Sequence, residues 1–166
     1  LQDILFAQHP TKIEEHDNYL VCIMKLFDFD ETNRAGEMKM QQLCLSQGPN
    51  YVLSLIENES PFFDYISFAI HNNILKIRGR QSDYLLSVLL NNVIANYTQI
   101  ISSIDDALED LEEVLLKITN ADDIGIQIQS LRRQYLQIKK SVFPLKEHDV
   151  KTVSDTQLML TTDPSG

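Results

Sequence analysis

From Ser82 to Leu145 apolar residues recur every three or four positions, in two runs separated by Thr119-Asn120-Ala121-Asp122. The first run is Leu86, Leu90, Val93, Tyr97, Ile100, Ile104, Leu108, Leu111, Leu115 and Ile118, with two consecutive fours around Ile104. That is a heptad seam with one stutter, which locally unwinds a supercoil. The second run is Ile124, Ile128, Leu131, Tyr135, Ile138, Val142 and Leu145. Asn120 or Asp122 can cap its first turn by accepting from unpaired amides. A short polar turn between two such arms predicts antiparallel neighbours, so the stretch reads as a long helical hairpin.

Ahead of the hairpin the pattern changes. Leu1 to Gln8 reads as the end of a helix stopped by Pro10, and Lys12 to Asp17 is polar. Tyr19–Phe29 is dense in aromatic and β-branched residues and predicts a strand. After a turn at Asp30–Gly36, a second strand is expected over Glu37–Gln47. Gly48-Pro49-Asn50 is a tight turn, which pairs that strand with Tyr51–Glu57 as an antiparallel hairpin. Ser60 followed by Pro61 marks a helix start, with the helix running to about Asn72. Ile74–Arg80 is a basic connector. Beyond Pro144 the chain continues to Thr162 as helix or as a mixed segment. The fold class expected is α+β, a largely antiparallel or mixed sheet flanked by helices, with a long antiparallel helical hairpin.

Charge separates the two arms. Asp105, Asp106, Glu109, Asp110, Glu112 and Glu113 fall together without a base, whereas Ile124–Lys146 holds Arg132, Arg133, Lys139, Lys140 and Lys146 and no acid. Folding back brings the opposite signs together, although exposed pairs contribute only ~0–1 kcal/mol each. Over all 166 residues the net charge is -10. That argues against a nucleic-acid partner, since phosphates need clustered Lys and Arg, and suits cations or basic partners. Cys22 and Cys44 lie in apolar runs and read as reduced, buried thiols. No signal peptide is visible and no apolar run approaches a membrane span. The ends of the chain read as those of a piece excised from something longer.

Motifs for catalysis are missing. There is no phosphate-cradling glycine loop, no HExxH and no nucleophile elbow. The paired carboxylates sit on an amphipathic helix with nothing to tune their pKa. The chain is read as a non-enzyme. Glu15, His16 and Asp17 form a ligand-like trio, read first as a solvated polar loop. The acidic arm reads first as the solvated face of a coiled coil, with weak attraction for hard cations such as Mg²⁺ as the second reading.

Five fragments, in order, resemble one family. LQDILFAQHPTKIEEHDNYL (1–20), LSQGPNYVLSLIENESPFFD (45–64), SDYLL (82–86), IDDALEDLEEVL (104–115) and LRRQYLQIKKSVFPLK (131–146) are similar to segments of the cytoplasmic domain of CorA divalent-cation transporters. The resemblance implies an α/β sandwich part at 1–80, the paired acidic (82–118) and basic (122–146) helices within 81–149, and a truncated start of a stalk or tail at 150–166. It further implies a homopentamer, reaching the cell's inner (plasma) membrane through C-terminal helices beyond this stretch, with these residues on the cytoplasmic side. Its regulatory ion would be Mg²⁺, with Co²⁺, Ni²⁺ or Zn²⁺ as alternatives. By the same resemblance Asp3 matches a carboxylate that helps bind this ion between subunits. Gln2 replaces the neighbouring acid, and Asn91, Ala95 and Asn96 stand where other family acids lie. The role implied is a Mg²⁺-sensing scaffold that gates a pore. The alternatives are a soluble coiled-coil interaction module, or a Zn²⁺ transporter of the ZntB-like branch.

Overall fold

A computed structural model describes residues 10–29, 38–117 and 122–161. Four strands form one antiparallel sheet in the order β1 (Lys12–His16), β2 (Tyr19–Phe29), β3 (Met38–Gly48) and β4 (Tyr51–Ile56). Each strand pairs with the next in sequence, as tight turns between alternating runs dictate. The β3–β4 hairpin closes at Gly48 opposite Tyr51, and a Cβ on Gly48 would strike the Tyr51 ring.

β1 departs from expectation. Lys12-Ile13-Glu14-Glu15-His16 has one apolar residue and reads as loop, yet it pairs along its length with Tyr19–Ile23. Edge strands tolerate such composition because only one side needs a partner, and their charges discourage further pairing.

Both faces of the sheet's centre are buried. Cys22, Met24 and Leu26 alternate onto one face with Leu43 and Leu45 of β3. The opposite face carries Ile23, Cys44 and the cross-strand pair Lys25 and Gln42, whose side chains hydrogen-bond at 2.9 Å. That contact lets a lysine be buried, because its Nζ donates to an amide oxygen rather than to nothing. Burial still holds the Lys25 pKa below its ordinary value, opposed by the charge of Glu57. Burial likewise pushes the Cys22 thiol up to about 11, with Cys44 nearby adding to the shift, and raises Cys44 itself. Both cysteines are reduced and buried, as their apolar context implies.

Ser60 caps the next turn, its Oγ accepting from the Phe62 N–H at 3.3 Å with Pro61 behind it. A 3-10 turn at Pro61–Phe63 runs into α1 (Asp64–His71), which buries Ile66 and Ala69. Asn73, at φ 52°, reverses the chain in the left-handed region that asparagine tolerates after a helix. The basic connector is a 3-10 segment, Ile74–Gly79.

α2 (Ser82–Lys117) shares the sheet's main core. Its start is tied to the β3–β4 turn: Ser82 Oγ lies 2.7 Å from the Gly48 carbonyl oxygen and accepts from Gln47 Nε2 at 3.1 Å. Leu86, Leu89, Val93, Tyr97, Ile100 and Ile104 pack in one cluster with the sheet. At about 1.5 Å per residue the 36-residue helix extends well past this contact. Its distal seam residue Leu111 is buried outside that cluster, as is Ile124 at the start of α3.

α3 (Asp122–Thr161) continues as helix through Pro144, which resolves the choice left open by the sequence. It packs on α2 and on β1, so the two helices form the expected hairpin. Its buried seam, however, is not the one the apolar pattern predicts. Ile124, Leu131, Ile138 and Leu145 face inward as expected, but Gln134 and Ser141 are buried between them. Tyr135 and Val142 lie outside, 47% and 36% exposed. Ser141 fits inside because its Oγ donates to the Gln137 carbonyl one turn back, at 3.1 Å. Among the described residues no helix is long and apolar enough to cross a membrane.

Candidate functional site

Asp3 and Gln2 lie outside the described residues. The three other positions at which the family resemblance places acids lie close together on α2, Asn91 and Ala95 one turn apart on its exposed side. Asn91 presents a neutral amide to solvent and Ala95 presents a methyl group.

Asn96 does something different. Among the described residues, β1 pairs with β2 as far as Ile23, which faces Lys12. Four residues further on, Asn96 Oδ1 accepts from the Phe27 N–H at 3.0 Å, and Asn96 Nδ2 donates to the Phe27 carbonyl at 2.8 Å. A carboxamide presents one acceptor and one donor in a plane, as a peptide unit does. Asn96 thereby stands in for one residue of a neighbouring strand and fastens α2 to the sheet. The Tyr97 ring packs beside it on Phe27, centroids 5.7 Å apart. Burial raises the Tyr97 pKa. A carboxylate at 96 could satisfy the N–H but would meet the carbonyl oxygen with a second acceptor. The asparagine is suited to this structural contact as the family's acid is not.

The Glu15-His16-Asp17 trio does not converge. Strand alternation puts Glu14 and His16 on one side of β1 and Glu15 on the other. His16 stacks on Tyr19 with ring centroids 4.4 Å apart, and its Nε2 lies 4.0 Å from Glu14 Oε2. Glu14 in turn accepts from Lys12 Nζ at 2.8 Å, which holds its pKa below the ordinary carboxylate value. Among the described residues no group of three or more His, Cys, Asp or Glu side chains is placed to hold a metal ion. The acids of α2 from Asp105 to Glu113 and the bases Arg132, Arg133, Lys139 and Lys140 of α3 are all exposed. These charges shape the field around the hairpin more than they hold it together.

Two of the surface depressions are formed by described residues. One, about 420 Å³, lies between the β1–β2 and β3–β4 turns and is lined by Glu15 to Leu20 and Gln47 to Pro49. The other, about 350 Å³, lies where the Leu26–Asp28 end of β2 meets the Ser60 turn, α1 and the middle of α2.

The antiparallel sheet with its long helical hairpin matches part of the fold of a CorA soluble domain. The structure of the soluble domain of CorA from Methanocaldococcus jannaschii superposes with a TM-score of 0.71 at 23% identity, over 88% of this chain and 56% of that one. The complete CorA magnesium transporter of the same organism superposes with a TM-score of 0.72 at 22% identity, over 91% of this chain and 46% of that one. In sequence the chain is 29% identical over 147 residues to the cobalt/magnesium transport protein CorA of Thermotoga maritima. The chain belongs to the family described as CorA-like Mg2+ transporter protein, whose profile matches residues 1–163. It spans 41% of the length of the Thermotoga relative, covering 89% of itself.

Proposed function

We propose that this chain is the cytoplasmic regulatory and scaffold domain of a CorA-like homopentameric transporter for Mg²⁺ or a related divalent cation, sensing Mg²⁺ and gating the pore. The observation that carries the reading is the family match over residues 1–163, with the sheet-and-hairpin fold supporting it. The transporter would sit in the cell's inner membrane, joined to this domain through helices outside this sequence.

Asp3 is the residue proposed to supply a carboxylate oxygen to the regulatory ion between neighbouring subunits. Hard divalent cations favour carboxylate oxygens and retain several waters, and Co²⁺, Ni²⁺ or Zn²⁺ would meet the same donor. The described residues alone do not make such a centre. Asn91 brings an oxygen without charge, Ala95 brings none, and Asn96 is engaged with Phe27. Gating by the ion is a population shift: a ligand favours whichever state it binds more tightly.

The test uses the full-length protein and limited trypsin digestion. Arg132, Arg133, Lys139 and Lys140 are exposed on α3 and report access to the hairpin. Cleavage there is expected to slow as Mg²⁺ rises through the millimolar range, with Asp3→Ala abolishing the protection. Cleavage rates independent of Mg²⁺ in the parent protein would remove the gating role, and protection intact in Asp3→Ala would remove Asp3 as a ligand.

A further inference from the structure

The groove at the open end of β2 has an unusual lining. Leu26, Phe62 and Tyr65 supply apolar and aromatic walls, and Gln41, Asn92 and Gln99 line it with carboxamides. Among the described residues Asp28 supplies the one carboxylate of the lining and no lysine or arginine belongs to it, with Lys39 standing opposite Asp28 on β3. Its volume of about 350 Å³ lies at the lower end of the range for small-molecule sites, roughly 300–1,000 Å³.

One lining atom is out of balance. Gln41 sits opposite Leu26 on the helix-covered face of the sheet. Its side-chain oxygen is buried and has no hydrogen-bond partner. Buried acceptors are nearly always satisfied, so this oxygen calls for a donor. The groove therefore offers an unpaired acceptor, an exposed carboxylate and aromatic rings whose faces attract positive charge. No base belongs to its described lining, and the one at its edge, Lys39, faces the Asp28 carboxylate across the strands. Arg80 already lies over the Tyr84 ring, 5.5 Å from its centroid, so this chain uses such a contact elsewhere.

We propose that this groove, between the end of β2, the Ser60 turn and α2, is a binding site for an organic cation bearing N–H donors, an alkylammonium or guanidinium group. The cationic head donates to the Asp28 carboxylate and, once the Gln41 side chain turns its buried oxygen out to the groove, to Gln41 Oε1, and the alkyl stem lies along Phe62 and Tyr65. A hydrated divalent ion fits this lining less well, because among the described residues it finds a single carboxylate and apolar walls. The site stands apart from the transporter reading, so failure of Mg²⁺-dependent protection would leave it untouched.

The experiment is a two-dimensional NMR titration of the ¹⁵N-labelled chain with agmatine, which carries a guanidinium and an ammonium. Saturable shifts are expected for amides of residues 26–28, 41, 62–65 and 92–99, with half-saturation at about 0.1–1 mM. Asp28 and Tyr65 are exposed, so Asp28→Asn and Tyr65→Ala should keep the fold. Each should weaken binding by about tenfold or more. An end-blocked arginine tripeptide forms a second arm: tighter agmatine binding identifies a free amine as the ligand, tighter peptide binding a protein side chain. Three results would overturn the site. They are no saturation by about 10 mM, unchanged half-saturation in both variants, or shifts reproduced by Mg²⁺ at equal ionic strength and centred on residues 105–113.

Discussion

Replacing Asn96 tests the idea that one side chain substitutes for a missing strand. Asn96→Ala removes an acceptor 3.0 Å from the Phe27 N–H and a donor 2.8 Å from the Phe27 carbonyl. Each partly buried backbone group left unpaired costs about 1–3 kcal/mol. Because both groups are only partly buried beside an open groove, the lower half of that range applies, giving a total loss of about 2–4 kcal/mol. Urea unfolding followed by far-UV circular dichroism reads this as a lowered midpoint at an unchanged m value. Asn96→Asp refines the test. At neutral pH the carboxylate accepts from the N–H but faces the carbonyl oxygen as a second acceptor, so this variant also loses stability. Only its protonated form can donate to the carbonyl, which raises the folded-state pKa above the ordinary aspartate value. Its stability is therefore fully present below about pH 4 and is lost as pH rises through the raised folded pKa. A loss below about 0.5 kcal/mol in Asn96→Ala, smaller than the net value of a typical single hydrogen bond, would refute the reasoning.

Two more outcomes follow from the packing. Ile138, 1% exposed and in the main core, should cost about 2–5 kcal/mol when cut to alanine. Tyr135→Ala, on the outer face, should cost less than about 1 kcal/mol, and equal losses in the two variants would contradict the observed seam. The cysteines predict alkaline sensitivity. Cys22 is raised from an ordinary 9.0 to about 11 and Cys44 is raised as well, so the unfolded chain loses these protons first. Stability is fully present below about pH 8.5 and declines as pH climbs to about 11. Urea midpoints under reducing conditions at pH 7.5 and 10.5 should differ, and by less in Cys22→Ala; a difference undiminished in that variant would assign the sensitivity elsewhere.

Much of the architecture was legible in the residues because periodicity and punctuation agreed. The three longer strands, the Gly48-Pro49-Asn50 reversal, the Ser60-Pro61 start and both hairpin arms appear where local chemistry puts them. β1 was not legible, since a charged edge strand exists by virtue of its neighbour and not of its own composition. The inner face of α3 was only half legible. Tyr135 and Val142 satisfy the same three-and-four spacing as Gln134 and Ser141, so hydrophobicity favoured one register and packing chose the other. Asn96 appeared from family resemblance only as a lost acid. Its partner lies 69 residues away, a pairing that no local pattern contains. Asp3 falls outside the described residues, and the groove is built from segments that only the folded sheet and helices bring together.

Pro144 gives α3 a mechanical character that the rest of the hairpin lacks. The ring has no amide hydrogen to offer the carbonyl of Lys140, and it crowds that turn. Up to Leu145 the helix is held by its inward seam, with Ile138 deep in the core. A load applied further along α3 would thus meet a stiff, anchored rod up to the proline and find its compliance there. Bending of α3 would concentrate at this turn, where one helical hydrogen bond is missing.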